Sequence, residues 1–206
     1  MKQKRLFILT AACGLMIFLL AMNGYRQRGE NLAARIAPEI IRFHVKANSD
    51  SRTDQELKLE VRDFLLTIIY DGLTPSASKN EIKNYILQKK PYLEEAADTF
   101  IASKGYGYET HIVIENRYFP EKTYGDMTFP NGTYEAVTVS IGSGKGHNWW
   151  CVLYPPLCFT DAVCAQVPDS SKETLEHLLA PEDFSQLSKG DIQIRFKFLE
   201  LLGFYS

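Results

Sequence analysis

Apolar residues run almost without interruption from Leu6 to Met22, behind Lys2, Lys4 and Arg5 and with no acidic residue among them. A basic stub ahead of such a run is the pattern of an export signal. Its seventeen positions exceed the usual signal-peptide core of about 7 to 15 residues and reach the lower edge of the roughly 17 to 25 that span a bilayer. A cleaved signal and a retained signal-anchor both fit. The absence of a clean small-x-small cleavage site around Asn23 and Gly24 favours an anchor with the C-terminus outside, while Arg26 and Arg28 pull towards the cytoplasmic side. A lipoprotein reading of the segment ending at Cys13 is weak, because it leaves only a stub of apolar chain before the cysteine. Residues 1–24 are thus read as signal peptide or signal-anchor. Residues 25–38, polar and alanine-rich with no strong apolar period, are read as a juxtamembrane linker, and residues 39–206 as a single extracytoplasmic domain.

Beyond the linker the period is two. Ile41, Phe43 and Val45 alternate with Arg42, His44 and Lys46, which predicts a half-buried strand ending at the turn-forming run Asn48-Ser49-Asp50-Ser51. The spacing then becomes helical through Leu57, Val61, Phe64 or Leu65, and Ile68, with Ser51/Asp54 or Thr53/Glu56 as alternative capping boxes and Asp71-Gly72 as the stop. Ser78 with Glu81 opens a second helix. Pro91 suits the first turn of a third, running through Leu93, Ala97, Phe100 and Ile101 to a cap at Gly105. From Tyr108 the period returns to two: Thr110, Ile112 and Ile114 share one strand face, and Val137, Val139 and Ile141 point inward from another strand. Pro130-Asn131-Gly132 is the clearest hairpin signal between them. Trp150 to Tyr154 predicts a strand leading into the Pro155-Pro156 corner, residues 166–190 a polar insert with one short amphipathic helix, and Asp191 to Leu202 a closing strand. One N-terminal strand, about three helices, then a mixed or mainly antiparallel sheet closed by a C-terminal strand make an α+β fold.

Composition narrows the class. With 45% hydrophobic and 12% aromatic residues the exported part can bury a real core. The formal charge of −2 falls to −5 without Lys2, Lys4 and Arg5, and no basic stripe remains to neutralise phosphates, so nucleic acid is excluded as a partner. Outside the membrane Cys151 and Cys158 are the natural disulfide pair, since the Pro-Pro corner between them turns the chain back, and Cys164 is left odd. Three reduced, buried thiols are the alternative.

Enzyme motifs are wanting. Gly142-Ser143-Gly144-Lys145-Gly146 lacks the spacing of a phosphate-cradling loop and reads as a flexible, glycine-rich surface loop. His44, His111, His147 and His177 are scattered singly, so no pair presents metal ligands on one helix face. Cys158 with His147, or Asp50 with Asp54, gives the outline of a hydrolase acting on cell wall or peptide, without an orienting third group that the sequence can place. Asp50 and Asp54 are explained as turn and cap residues. Trp149 and Trp150 point to opposite faces of a strand, so at most one is expected in the core while the other is free to anchor a partner.

The segments Ile41-Arg42-Phe43-His44-Val45-Lys46-Ala47-Asn48-Ser49-Asp50-Ser51, Val61-Arg62-Asp63, Tyr118-Phe119-Pro120, Asn148-Trp149-Trp150-Cys151 and Pro155-Pro156-Leu157-Cys158-Phe159, with the closing Arg195-Phe196-Lys197, resemble the stage II sporulation protein R family. His147 stands where that pattern has Gln, and Lys46 where it has an aliphatic residue. The resemblance implies a protein exported from the forespore into the space between the septal membranes, where it triggers a membrane-embedded aspartic protease that processes pro-sigma-E. No cofactor, metal or catalytic residue comes with it. The expected contact region is Asn48, Asp50, Lys145, Asn148, Trp149 and Trp150.

Overall fold

The computed structural model describes residues 2–74, 76–158 and 167–188. The chain begins with one long helix, α1 (Lys2–Ile36), followed by a 3-10 turn (Ala37–Glu39), β1 (Ile41–Lys46), α2 (Arg52–Asp71), α3 (Lys79–Ser103), β2 (Thr110–Phe119), β3 (Lys122–Tyr124), β4 (Met127–Phe129), β5 (Gly132–Ile141), β6 (Asn148–Tyr154), α4 (Asp169–Leu178) and α5 (Pro181–Ser188). Four strands form a mixed sheet in the order β2-β5-β1-β6, in which β1 runs parallel to β5 and antiparallel to β6, and β2 antiparallel to β5. The small pair β3-β4 forms a second sheet. The α+β class follows directly. The closing strand expected over residues 191–202 lies outside the described residues.

Several local expectations change in the structure, and the polar insert holds two short helices, α4 and α5, where one was expected. The stretch read as a linker is helical to Ile36, and Leu32, Ala33 and Ile36 are buried. Its docking depends on Gly132: a Cβ there would come within 2.3 Å of the Ala33 Cβ, so only glycine admits the helix at this point. Arg35 then ties the helix to Asp183 of α5 at 2.8 Å. The two helices expected on either side of Pro91 form one, α3, with Pro91 inside it. Pro91 and Leu87, whose carbonyl loses its partner, both lie on the exposed side, where water can satisfy that carbonyl and a proline bend is tolerated. Pro130-Asn131 leads into β5 rather than turning a tight hairpin, and the tight hairpin is β3-β4, made by Gly125 at φ 54°.

The expected helix caps hold. Ser51 caps α2 by accepting from the Asp54 amide, and Ser78 with Glu81 forms a reciprocal capping box on α3. α2 buries Leu57, Val61, Leu65, Leu66 and Ile69 on one side, against β1 and α3. Both outer edges of the sheet are blunted. On β2 the Thr110 and Ile112 amides donate to Asp98 and Glu94 of α3, and on β6 the Trp150 carbonyl accepts from Tyr124 Oη and the Val152 carbonyl from the Leu157 amide. Strand addition from outside is discouraged at each.

The β1 strand is not half-buried. Arg42 and His44 are as buried as Phe43 and Val45, because β3-β4 and the aromatic side chains of the neighbouring strands cover the second face. Arg42 lies among four rings, its guanidinium carbon 4.5 Å from the centroid of Phe119, 5.2 Å from Tyr134, 5.6 Å from Phe129 and 5.8 Å from Tyr124.

Cys151 and Cys158 are bonded, with Cα atoms 5.2 Å apart and a sequence separation of 7. The bridge closes the Pro-Pro turn back onto β6. Closing so short a loop contributes about 2.5 kcal/mol in the chain-entropy treatment. Urea unfolding of the Cys151→Ser, Cys158→Ser chain is expected to show a loss of that order. An unchanged unfolding midpoint would remove the bridge as a stabilising element. Cys164 lies outside the described residues.

Candidate functional site

Two segments meet at the end of the sheet where β1 and β5 finish. β1 delivers Asn48-Ser49-Asp50, and β5 delivers the glycine loop 142–146. They are interlocked. Asn48 accepts from the Ser143 amide at 2.9 Å through its Oδ1, donates to Asp54 at 3.0 Å, and offers its own carbonyl to Ser143 Oγ at 2.6 Å and to the Lys145 amide at 3.3 Å. The Gly146 amide donates to the Ala47 carbonyl at 2.9 Å. Gly142 and Gly144 take positive φ, and a Cβ on Gly146 would meet the Ser49 carbonyl oxygen at 2.2 Å. The loop expected to be flexible is therefore held by hydrogen bonds and by contacts that leave no room for side chains.

Asp54, almost fully buried, closes the knot from α2. It accepts from Ser49 Oγ at 2.5 Å as well as from Asn48. Burial pushes its carboxyl upward, but hydrogen bonds from Ser49, Asn48, Tyr108 and Ser51 outweigh that, and the carboxyl is held below its usual value. Lys58, also buried, donates to Gln55 at 2.6 Å and to the His147 carbonyl at 3.1 Å. Burial pushes its ammonium below the usual lysine value, with Arg62 adding to the effect. Lys58 was not singled out in the sequence. Asp54 was legible as a cap residue, but its reach back to Asn48 depends on the turn's fold.

What remains exposed at this pole is Asp50, Lys145, His147 and Asn148. Asp50 accepts from the His147 amide at 2.6 Å and from its Nδ1 at 2.5 Å. The Lys145 ammonium makes no ion pair among the described residues.

The tryptophans stand on opposite faces, and each is partly buried. Trp149 lies under the Arg62 guanidinium of α2, 4.2 Å from its carbon to the ring centroid. Trp150 stacks on His44 at 3.8 Å and 7° and meets Phe119 edge-on at 4.7 Å. The six expected contact residues are thus brought to one end of β1, β5 and β6. Four of them form or flank the interlocked loop, and the two tryptophans buttress it from either face.

The nucleophile and base of the Cys158-His147 outline are not brought together. Cys158 is bonded to Cys151 and buried, whereas His147 is exposed and engaged by Asp50. Asp50 and Asp54 are likewise separated in role, one paired with His147 at the surface and the other buried as an acceptor. No group of three or more His, Cys, Asp or Glu able to hold a metal occurs among the described residues.

Comparison with known proteins gives a consistent answer. The family model of stage II sporulation protein R matches residues 37–164. Stage II sporulation protein R of Bacillus subtilis (strain 168) is 37% identical over 142 residues, which is 69% of this chain and 63% of that protein. The match therefore spans just under two thirds of the relative's length. No solved structure matches.

Proposed function

Since the chain belongs to the stage II sporulation protein R family, we propose that it is an exported messenger of sporulation that acts by docking, and that its target is a membrane-embedded aspartic protease that processes pro-sigma-E. Docking works by differential affinity: the messenger binds the active arrangement of the protease more tightly than the resting one, and that difference shifts the population. The observation that carries this reading is the interlocked pole, where a hydrogen-bonded glycine loop presents Lys145, exposed and without an ion pair among the described residues, beside the Asp50-His147 pair and Asn148. A rigid, preorganised loop gives up little entropy on binding, which suits recognition. The apolar segment of α1 supports export or anchoring, since it is long and apolar enough to cross a membrane.

Reconstitution of the full chain with the protease and its precursor substrate tests the proposal. Direct stimulation of cleavage is expected. Lys145→Glu, which alters no side-chain bond in the loop, is expected to weaken stimulation by about tenfold or more, or ~1.4 kcal/mol of binding. Full activity from a folded Lys145→Glu protein removes Lys145 from the contact, and lack of stimulation by the parent chain removes direct activation.

A further inference from the structure

The helix that carries the apolar run does not stop at the domain boundary but continues into the fold, and its contacts give the domain a direction. Stepping back along α1 from Ala33, which sits on Gly132, Gly29 meets Asn131, the Arg26 guanidinium lies 6.0 Å from the Tyr118 ring, and Tyr25 Oη donates to Glu121 at 3.0 Å. The helix thus leaves the domain at the end of the sheet where β5 begins, and the glycine loop lies where β5 ends. Ten residues of β5 separate the two ends, about 30 Å at a strand rise of ~3.3 Å per residue.

The pole at the helix exit has its own chemistry. Tyr25 and Tyr118 are 47% and 46% exposed, the two most exposed tyrosines after Tyr92 among the described residues; Arg26, paired with Glu30, lies near the Tyr118 ring, and Arg28 and Lys122 are exposed close by in sequence to Tyr25 and Tyr118. Exposed tyrosines with arginine and lysine next to a membrane-length apolar helix are what the headgroup layer favours, because the ring sits among lipid carbonyls while the cations meet phosphates. At ~1.5 Å per residue, Tyr25 and Arg26 lie about 5 to 6 Å beyond the end of the apolar run at Met22, within a headgroup layer about 5 to 8 Å deep, and Arg28 lies at its outer edge at about 9 Å. Tyr118 and Lys122 reach the same level through their contacts with, or next to residues that contact, Arg26 and Tyr25.

We propose that the domain stands upright on the membrane that α1 enters, with Tyr25, Arg26, Arg28, Tyr118 and Lys122 in its anionic headgroup layer. The Asn48 and glycine-loop pole is then presented away from that membrane, towards a partner lying across the compartment. The direction itself follows from α1; that the far pole is the one read by a partner rests on the docking proposal above.

Depth-dependent quenching separates the two. In a full chain with Cys13→Ser and Cys164→Ser, an environment-sensitive fluorophore is attached at Lys122→Cys or at Lys145→Cys. The chain is reconstituted in phosphatidylethanolamine vesicles containing phosphatidylglycerol and brominated lipid. Quenching several-fold stronger at position 122 than at 145 is expected, and Arg26→Glu with Arg28→Glu is expected to reduce the difference. Equal quenching, or stronger quenching at 145, overturns the orientation. So does an N-terminal mass showing that the membrane-fraction chain begins after Met22. None of these readouts requires the protease, so orientation and docking fail independently.

Discussion

Arg42→Ala is expected to destabilise the protein by about 3 to 5 kcal/mol, whereas Arg42→Met leaves stability within about 1 kcal/mol of the parent or raises it. Arg42 is fully buried with no carboxylate beside it. Its Nη2 donates to Tyr124 Oη at 3.2 Å, and its Nε and Nη1 have no partner among the described residues. Burial pushes the guanidinium below its usual pKa, yet an arginine remains protonated, so a cation is held here by ring faces and one phenol oxygen. Alanine leaves a hole between Phe119, Tyr124, Phe129 and Tyr134. Methionine fills most of that volume without a charge to desolvate. Arg42→Lys is the third arm. It keeps the charge but loses the flat stacking surface on a more strongly hydrated head, and is expected to fall near alanine. Urea unfolding of the three variants decides between packing and charge: if methionine costs as much as alanine, the cation-ring attraction outweighs desolvation and the ranking proposed here is wrong.

Why the sequence concealed this cage is instructive. Arg42, His44 and Lys46 alternate with Ile41, Phe43 and Val45, and period-2 alternation of that kind signals one wet face. The cover over Arg42 and His44 comes from Phe119, Tyr124, Phe129 and Tyr134, residues 75 or more positions away in sequence, and no local pattern encodes their arrival. What local chemistry controls was legible: the Ser51 and Ser78 caps, the α2 face, the pairing of Cys151 with Cys158 and the opposite facing of Trp149 and Trp150. The pole itself was legible as a set of residues, since Asn48, Asp50 and the glycine run are unusual in composition, but not as a knot. Its stiffness depends on Asn48 bridging two chain segments 95 residues apart. Pro91 and the stretch before Ile36 show the same limit from the other side, since a proline and a polar surface are compatible with continued helix wherever the affected positions face water.

Acidification is expected to loosen the same buried layer through His44. Its ring is 1% exposed, stacked on Trp150 with Phe119 edge-on, and among the described residues neither nitrogen has a partner with good hydrogen-bond geometry, Asn148 being the nearest polar neighbour. Burial lowers its pKa to about 4 from 6.5; Asn148 and Glu115 oppose the shift, and Arg117 and Lys46 reinforce it. The unfolded chain therefore binds a proton that the folded chain refuses. The stabilisation is complete above pH 6.5 and is lost as pH falls towards 4, by about 2 kcal/mol at pH 5 and about 3 kcal/mol at pH 4. His44→Phe keeps a flat ring against Trp150 without a titrating group, so urea unfolding of parent and variant across this range isolates the contribution from that of the carboxylates. The gap between them should widen in favour of phenylalanine as the pH falls below about 6. Because Trp150 stacks directly on this ring, its fluorescence should report the change. Parallel stability curves for the two proteins would mean that His44 accepts its proton in place, and that the layer beneath the interlocked pole tolerates a second charge beside Arg42.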